Sequence, residues 1–430
     1  MKRKWTALMG TVALCGMLAA CSNEEQDAQT EASTEDEKIE LTFWYAYADK
    51  IQEANDELVE RFNESQDRIE VTASTQGSYT EVEQKVRQSM VAGNEPDVFI
   101  TVINSVSGLA KDGVVEDLTP FIEGDDTFEK DDFIEGILAS SNIDGSYYGL
   151  PYFNSTPLVY YNKDLFDAAG VDPAQLNTWE GFQQAAAQLT KDGVIGGTQE
   201  ETFWLFEANM NQQNSKMFSD DKKQSLFATE EGVASVDFTM DMVKEGTWEF
   251  PIGDQGIEKA VQSFETQKAA ILLASTSRLS QFAESAEAAG FEMGVMMLPE
   301  GDKRAVAVGG SNIVMTGNLE EEEQEAAWEF IEFVTNAESN SWATEHTGYL
   351  PIRHSIANSE ERQALEAAQP FYAVAREQLE YAVPGESVPG FNEITSIWRE
   401  SVEALIADPD LTTKEAMEMA DTRVTDVLNQ

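Results

Sequence analysis

Residues 39–101 alternate strand and helix patterns, and that alternation restricts the fold more than any other feature of the chain. Ile39-Glu40-Leu41-Thr42-Phe43-Trp44-Tyr45 reads as a buried strand, and Asp49 to Phe62 carries apolar residues at helical spacing. Ile69-Glu70-Val71-Thr72-Ala73 is a second strand. Tyr79 to Val91 is a second helix, stopped by Gly93-Asn94. Pro96 to Thr101 is a third strand, with a short helix running to Lys111. Strand, helix, strand, helix, strand at this spacing implies crossover connections and a mainly parallel sheet. Such sheets place ligands beyond the carboxyl ends of their strands.

Further strand patterns lie at Tyr147–Leu150 and Leu158–Tyr161, around the polar, proline-flanked segment Pro151 to Pro157. Ala269 to Ala274 is an apolar run of strand length that ends in Ser275-Thr276-Ser277. Phe291 to Met297 and Asn312 to Thr316 also read as strands. Thr178 is placed to cap a helix running to Leu189. From Glu320 onward amphipathic helix dominates. Strands that cluster early, recur near 270–316 and give way to helices suit two α/β lobes, each assembled from separated pieces of chain.

Charge narrows the function. The 430 residues hold 79 acids against 28 bases, a net charge of −51. Such a surface repels phosphate backbones, so no nucleic-acid partner is expected. An anionic ligand would need a local cluster of Arg. An acid excess this large also fits a salty or alkaline habitat, in which added salt stabilises the fold.

The amino terminus reads as an address. Lys2, Arg3 and Lys4 precede an apolar run from Thr6 to Ala20, too short to span a membrane. The run ends in Leu18-Ala19-Ala20-Cys21, which resembles a bacterial lipoprotein cleavage box. Residues 1–21 are therefore expected to be a signal peptide with its lipobox Cys21, and acylated Cys21 the only membrane attachment. Cleavage removes three bases and no acid, taking the net charge to −54. Cys15 leaves with the signal, so no free thiol or disulfide remains. Residues 22–38 hold seven acids and nothing to bury, and read as a disordered acidic tether.

Several catalytic signatures are missing. There is no Walker-type phosphate loop, no G-x-G-x-x-G, no H-E-x-x-H and no G-x-S-x-G elbow. His346 and His354 are the only histidines. Neither a metal nor a cofactor is expected. The adjacent Tyr160 and Tyr161 should point to opposite faces of a strand rather than form a phenolate iron site. What the chain offers is aromatic and neutral polar material near predicted strand ends, including Trp44, Tyr45, Tyr47, Tyr79, Tyr152, Trp179, Trp204 and Tyr349. A sugar presents an apolar C–H face and a rim of hydroxyls, which suits aromatic platforms with Asn, Ser and backbone donors.

Five segments, in order along the chain, resemble the extracellular solute-binding proteins of bacterial ABC importers in the carbohydrate and glycerol-3-phosphate group. They are Leu41 to Trp44; Ser155 to Phe166 with Ala169 to Pro173 and Thr178-Trp179; Ala269 to Ser275; Gly309 to Asn312; and Thr347 to Ile352. The resemblance implies a two-lobed α/β periplasmic-binding-protein fold with hinged lobes and a ligand cleft between them. The expected N-terminal lobe is 39–153 plus 272–318, and the expected C-terminal lobe is 154–271 plus 319–430. Carried over residue by residue, it implies cleft positions at Tyr79, Trp179, Ser275, Gly309, Gly310 and Tyr349. Trp44, Tyr47, Asn104, Asn154 and Trp204 complete the expected ligand-binding set.

Two departures bear on the ligand. Ile103-Asn104 stands where the glycerol-phosphate branch has Glu, and Glu393 to Ser396 stands where it has Arg, with Arg399 nearby but out of register. Losing a guanidinium removes bidentate phosphate recognition. The expectation is therefore a monomeric, non-catalytic receptor on the outer face of a Gram-positive cell membrane. It would deliver an uncharged mono- or oligosaccharide to permease subunits served by a cytoplasmic ATPase. The alternatives are a glycerol-3-phosphate or glycerophosphodiester binder and, from another class, a secreted glycan-active enzyme.

Overall fold

The computed structural model describes residues 38–253 and 255–430. The expected signal peptide, Cys21 and nearly all of the acidic tether lie outside the described residues. Ten strands make the two main sheets. In chain order they are β1 (Ile39–Tyr45), β2 (Ile69–Thr75), β3 (Val98–Val102), β4 (Leu150–Ser155), β5 (Pro157–Asn162), β6 (Ile195–Gln199), β7 (Trp248–Glu249), β8 (Ala269–Ser275), β9 (Met293–Met296) and β10 (Gly309–Met315). The first sheet runs β2-β1-β3-β10-β4 and the second β9-β5-β8-β6-β7.

The early alternation does what its spacing predicts. β1 pairs in parallel with β2, from Ile39 opposite Ile69 to Tyr45 opposite Thr75, and in parallel with β3. Leu41, Phe43 and Tyr45 alternate into the core against helix Asp49–Ser65. Helix Tyr79–Ala92 starts on a Ser78/Glu81 capping box, which satisfies two otherwise unpaired N–H groups. It ends where Gly93 takes the left-handed conformation. The parallel pattern stops there. β10 runs antiparallel to β3 and β4, and β5 runs antiparallel to β8 and β9, so both sheets are mixed rather than mainly parallel.

The proline-flanked segment is strand rather than loop. Leu150 to Ser155 and Pro157 to Asn162 are buried throughout, with only Thr156 between them. The prolines fit because β4 is an edge strand and Pro157 is the first residue of β5, positions where a missing N–H is tolerated. Along β5, Tyr160 and Tyr161 join different cores, as strand alternation requires.

The expected lobe boundaries need correction. The expectation puts residues 272–296 in the N-terminal lobe, but β8 pairs with β5 and β6 and β9 pairs with β5, all in the second sheet. It puts helices Glu321–Thr335 and Ala337–His346 in the C-terminal lobe. Yet Ala327, Phe330, Ile331 and Ala343 share the core of Leu41 and Phe43. Helices Phe391–Ala407 and Thr413–Leu428 do lie with the second lobe, packed on Phe203, Phe206 and Phe227. The chain thus passes between lobes at Thr156, again within 297–308, and once more after Ile352. Gln378 pins the first crossing, its Nε2 donating to Thr156 Oγ1 at 3.0 Å and to the Pro157 carbonyl at 2.7 Å.

Candidate ligand cleft

β1 and β2 of the first lobe and β6 and β8 of the second end near the start of the antiparallel β10, and the residues after those four ends and at the start of β10 carry the candidate site. Tyr47 follows β1. Its φ is +68°, a left-handed conformation that an aromatic side chain adopts only when its surroundings impose it. Two backbone contacts impose it here. The Tyr47 N–H donates to the Gly77 carbonyl at 2.6 Å, and the Tyr47 carbonyl accepts from Thr75 Oγ1 at 2.8 Å. The ring is left 38 % exposed, edge-on to Tyr79 with centroids 5.0 Å apart.

Tyr79 opens its helix and sets its hydroxyl beside Tyr349 and Ser311. Tyr349 is buried and stacks on Phe153, which in turn stacks on Tyr152, with centroids 4.7 and 4.1 Å apart. Its hydroxyl lies beside Ser277 of the second lobe. Burial pushes the phenols of Tyr79 and Tyr349 up, so both are neutral hydrogen-bonding groups. The lobes touch here because Gly348 has no side chain: a Cβ would fall 1.9 Å from the Thr276 carbonyl oxygen.

On the second-lobe side, Ser275 Oγ accepts from the Ser277 N–H at 3.1 Å and from the Ser277 hydroxyl at 2.8 Å. The Ser275 N–H donates to Glu200 Oε2 at 3.2 Å. Glu200, at the carboxyl end of β6, accepts from Arg278 Nε at 2.6 Å, and Arg278 Nη1 donates to Gln281 Oε1 at 3.2 Å. Burial works against the Arg278 charge, but Glu200 more than offsets it and the guanidinium stays charged. Tyr47 and Tyr349 both lie in the field of this pair.

A second group borders the crossing strands. Asn154 is fully buried, with Nδ2 donating to the Gly309 carbonyl at 3.3 Å while its Oδ1 has no partner. Ser311 Oγ is also buried and unpartnered. Gly309 carries the ring of Trp204 on its backbone, since a Cβ there would lie 2.5 Å from the indole. Gly310 has φ +101°, and a Cβ would meet the Phe153 carbonyl at 2.0 Å. The two glycines are therefore fixed by close approach and backbone shape.

Three expected members lie elsewhere. Trp44 packs on the first-lobe core. Asn104 is buried under a crossing segment: its Nδ2 donates to the Glu386 carbonyl at 3.0 Å, and its carbonyl accepts from Ser387 Oγ at 2.9 Å. Trp179 donates from Nε1 to Gln212 Oε1 at 2.6 Å and packs on Phe182 and Phe238. It lines a separate cavity of about 180 Å³ with Asn209, Gln213 and Ser235, which contains none of the clustered tyrosines. The residues that the sequence reading missed are Glu200, Ser277, Arg278 and Ser311. Glu200 follows the rule that ligands gather at strand carboxyl ends, and Ser311 lies inside the quoted Gly309-to-Asn312 segment. Arg278 carried no signal, being one basic residue in a surface turn.

The model of the bacterial extracellular solute-binding protein family matches residues 57–370, most of the chain. The chain belongs to that family. It is similar to the sn-glycerol-3-phosphate-binding periplasmic protein UgpB of Agrobacterium fabrum, 25 % identical over 401 residues, 86 % of this chain and 88 % of that one. Among solved structures it is similar to an ABC substrate-binding protein of Listeria monocytogenes in complex with cycloalternan. The TM-score is 0.82 and the identity 23 %, covering 91 % of this chain and 100 % of that one. It is also similar to UgpB of Mycobacterium tuberculosis in complex with glycerophosphocholine, with TM-score 0.80, identity 23 % and coverage of 91 % and 99 %. The two-lobed fold and the solute-binding role in an ABC importer are those expected from the resemblance. Among the described residues no helix is long and apolar enough to cross a membrane.

Proposed function

We propose that this solute-binding protein captures an uncharged mono- or oligosaccharide between its lobes and presents it, unaltered, to a permease driven by a cytoplasmic ATPase. The observation that carries the reading is the composition of the lobe junction. Tyr349 of the first lobe meets Ser277 of the second, Tyr79 and Tyr47 extend the aromatic surface beside it, and Trp204 reaches across to Gly309. Flat rings and neutral hydroxyls match the C–H faces and hydroxyl rim of a sugar. The unpartnered Asn154 Oδ1 is free to hydrogen-bond such a solute. The cycloalternan complex of the Listeria protein is in line with this class of ligand.

The protein would act as a monomer on the outer face of a Gram-positive cell membrane, held there by acylated Cys21. Capture works as a population shift, in which the solute stabilises the closed arrangement because only there do both lobes contact it. Glycerol 3-phosphate or a glycerophosphodiester is the second reading, favoured by the Agrobacterium relative. Thermal unfolding in the presence of neutral saccharides, glycerol 3-phosphate and glycerophosphocholine tests the choice, since a ligand of the folded state raises the midpoint. A rise with saccharides alone supports the proposal. A rise with the phosphate compounds alone overturns it.

A further inference from the structure

The structure assigns to the Glu200–Arg278 ion pair the role of a charge filter: Glu200 neutralises the Arg278 guanidinium beside the tyrosine cluster and so keeps phosphate-bearing solutes out of the cleft. The inference rests on the neutral-saccharide reading of that cleft and explains how neutrality is enforced.

The geometry is specific. Arg278 belongs to the second-lobe turn that includes Ser275 and Ser277, and 30 % of its side chain is exposed. It lies close enough to Tyr47 and Tyr349 to influence both. An unpaired guanidinium in that position would offer a fork of donors suited to phosphate. Here two of its N–H groups are engaged and its charge is matched by a carboxylate. Nε is held by Glu200 Oε1 at 2.6 Å and Nη1 by Gln281. Glu200 itself is only 5 % exposed and is fixed from the far side by the Ser275 N–H. A carboxylate so enclosed cannot swing away to make room for a phosphate. An arriving anion would have to share Arg278 with a fixed negative charge in a region of reduced dielectric.

Arg399, paired with the residue that follows Glu200 in the chain, does not remedy this. Arg399 Nε lies 3.2 Å from Glu201 Oε1, so it too is matched with a carboxylate. The chain's net charge of −51 adds a general field of the same sign. A neutral polyol escapes these penalties. Its hydroxyls can accept from the unengaged Arg278 N–H groups without bringing a second negative charge beside Glu200.

Calorimetric titration of the folded receptor with glycerol 3-phosphate tests the filter. Wild type, Glu200→Gln and the double variant Glu200→Gln/Arg278→Gln are compared, with a panel of neutral oligosaccharides run in parallel. The amide introduced by Glu200→Gln keeps an acceptor for the Ser275 N–H and removes the charge. The expected result is at least a tenfold gain in glycerol 3-phosphate affinity in Glu200→Gln, steeply weakened by salt and absent from the double variant. Should Glu200→Gln fail to fold, Glu200→Ala provides the same readout. A folded carboxyl-free variant with no gain overturns the filter. So does a wild type that binds glycerol 3-phosphate as tightly as that variant does. Absence of saccharide binding to wild type, with the anion gain still present, overturns the saccharide reading and leaves the filter standing.

Discussion

Trp204 of the second lobe rests on the bare backbone of Gly309 in the first, so close that a single added carbon would lie 2.5 Å from its ring. The helix that carries Trp204, Phe203–Gln212, is packed in the second-lobe core through Phe206 and Met210 and cannot retreat. Gly309→Ala must therefore tilt the indole or push the crossing strand away. Overpacking of this kind costs about 1–3 kcal/mol. Solute affinity should fall at least tenfold, while the first-lobe core, away from the contact, keeps its native near-ultraviolet signals. Unchanged affinity by calorimetry would remove Trp204 from the solute-contacting surface.

Tyr47 carries a second prediction, because its ring and its backbone can be separated. Holding an aromatic residue at φ +68° costs about 1–3 kcal/mol. Tyr47→Gly relieves that cost and loses the edge-on contact with Tyr79, worth about 0.5–1.5 kcal/mol. The flexibility of glycine in the unfolded chain takes back about another 0.5–1 kcal/mol. Stability should change by less than about 1 kcal/mol in denaturant titration. Affinity should drop by about 1–3 kcal/mol if the ring stacks on the solute. A variant that is much less stable would mean that the left-handed turn is held in place by the ring.

Trp179 should behave in the opposite way. It resembles a cleft tryptophan in sequence, yet its indole is engaged with Gln212 and packed on Phe182 and Phe238. Trp179 is only partly buried, so Trp179→Ala should cost about 1–3 kcal/mol of stability, less than a fully buried aromatic would. The solute affinity of the folded fraction should stay within about twofold. A large loss of affinity with little loss of stability would return Trp179 to the cleft.

The contrast between Trp179 and Tyr349 shows what was legible in the sequence. Local rules were readable: the β1-to-β3 alternation, the Thr178 cap and the Gly93 stop all formed as patterned. Tyr349 was named only through the Thr347-to-Ile352 segment of the family resemblance; in the structure its neighbour Gly348 must be small to meet Thr276. Lobe membership was not legible. Ala269 to Ala274 is apolar at every position, and such a strand fits either sheet; its hydrogen-bond partners decide, and hydropathy does not encode them. The Glu200–Arg278 pair was hidden for a different reason. In a chain with 79 acids, a single important carboxylate has no compositional contrast, and its partner lies 78 residues away.

Glu207 makes stability depend on pH through the segment that joins the lobes. Its carboxylate is 2 % exposed, and its Oε1 accepts the Glu386 N–H at 2.9 Å. Glu386 in turn accepts the Met217 N–H at 2.7 Å, while its carbonyl holds Asn104 of the first lobe. Burial pushes Glu207 up to about 8, and the nearby Glu386 carboxylate adds to the rise. Lys216 and Lys222 face Glu386 and hold part of that charge in check. A raised carboxyl pKa means that the folded chain keeps a proton the unfolded chain has lost. This contribution is therefore fully present below about pH 4.5 and is lost as pH rises through about 8. Between pH 5 and 8 the loss amounts to about 4 kcal/mol at most. Glu207→Gln keeps the acceptor for the Glu386 N–H and removes the titration. Subtracting its denaturant-unfolding free energies from those of wild type cancels other raised groups such as Glu201, which burial pushes up to about 7. The difference should slope downward from pH 5 to 8. A flat difference would mean that Glu207 titrates normally and that the 385–388 segment is held without a buried proton.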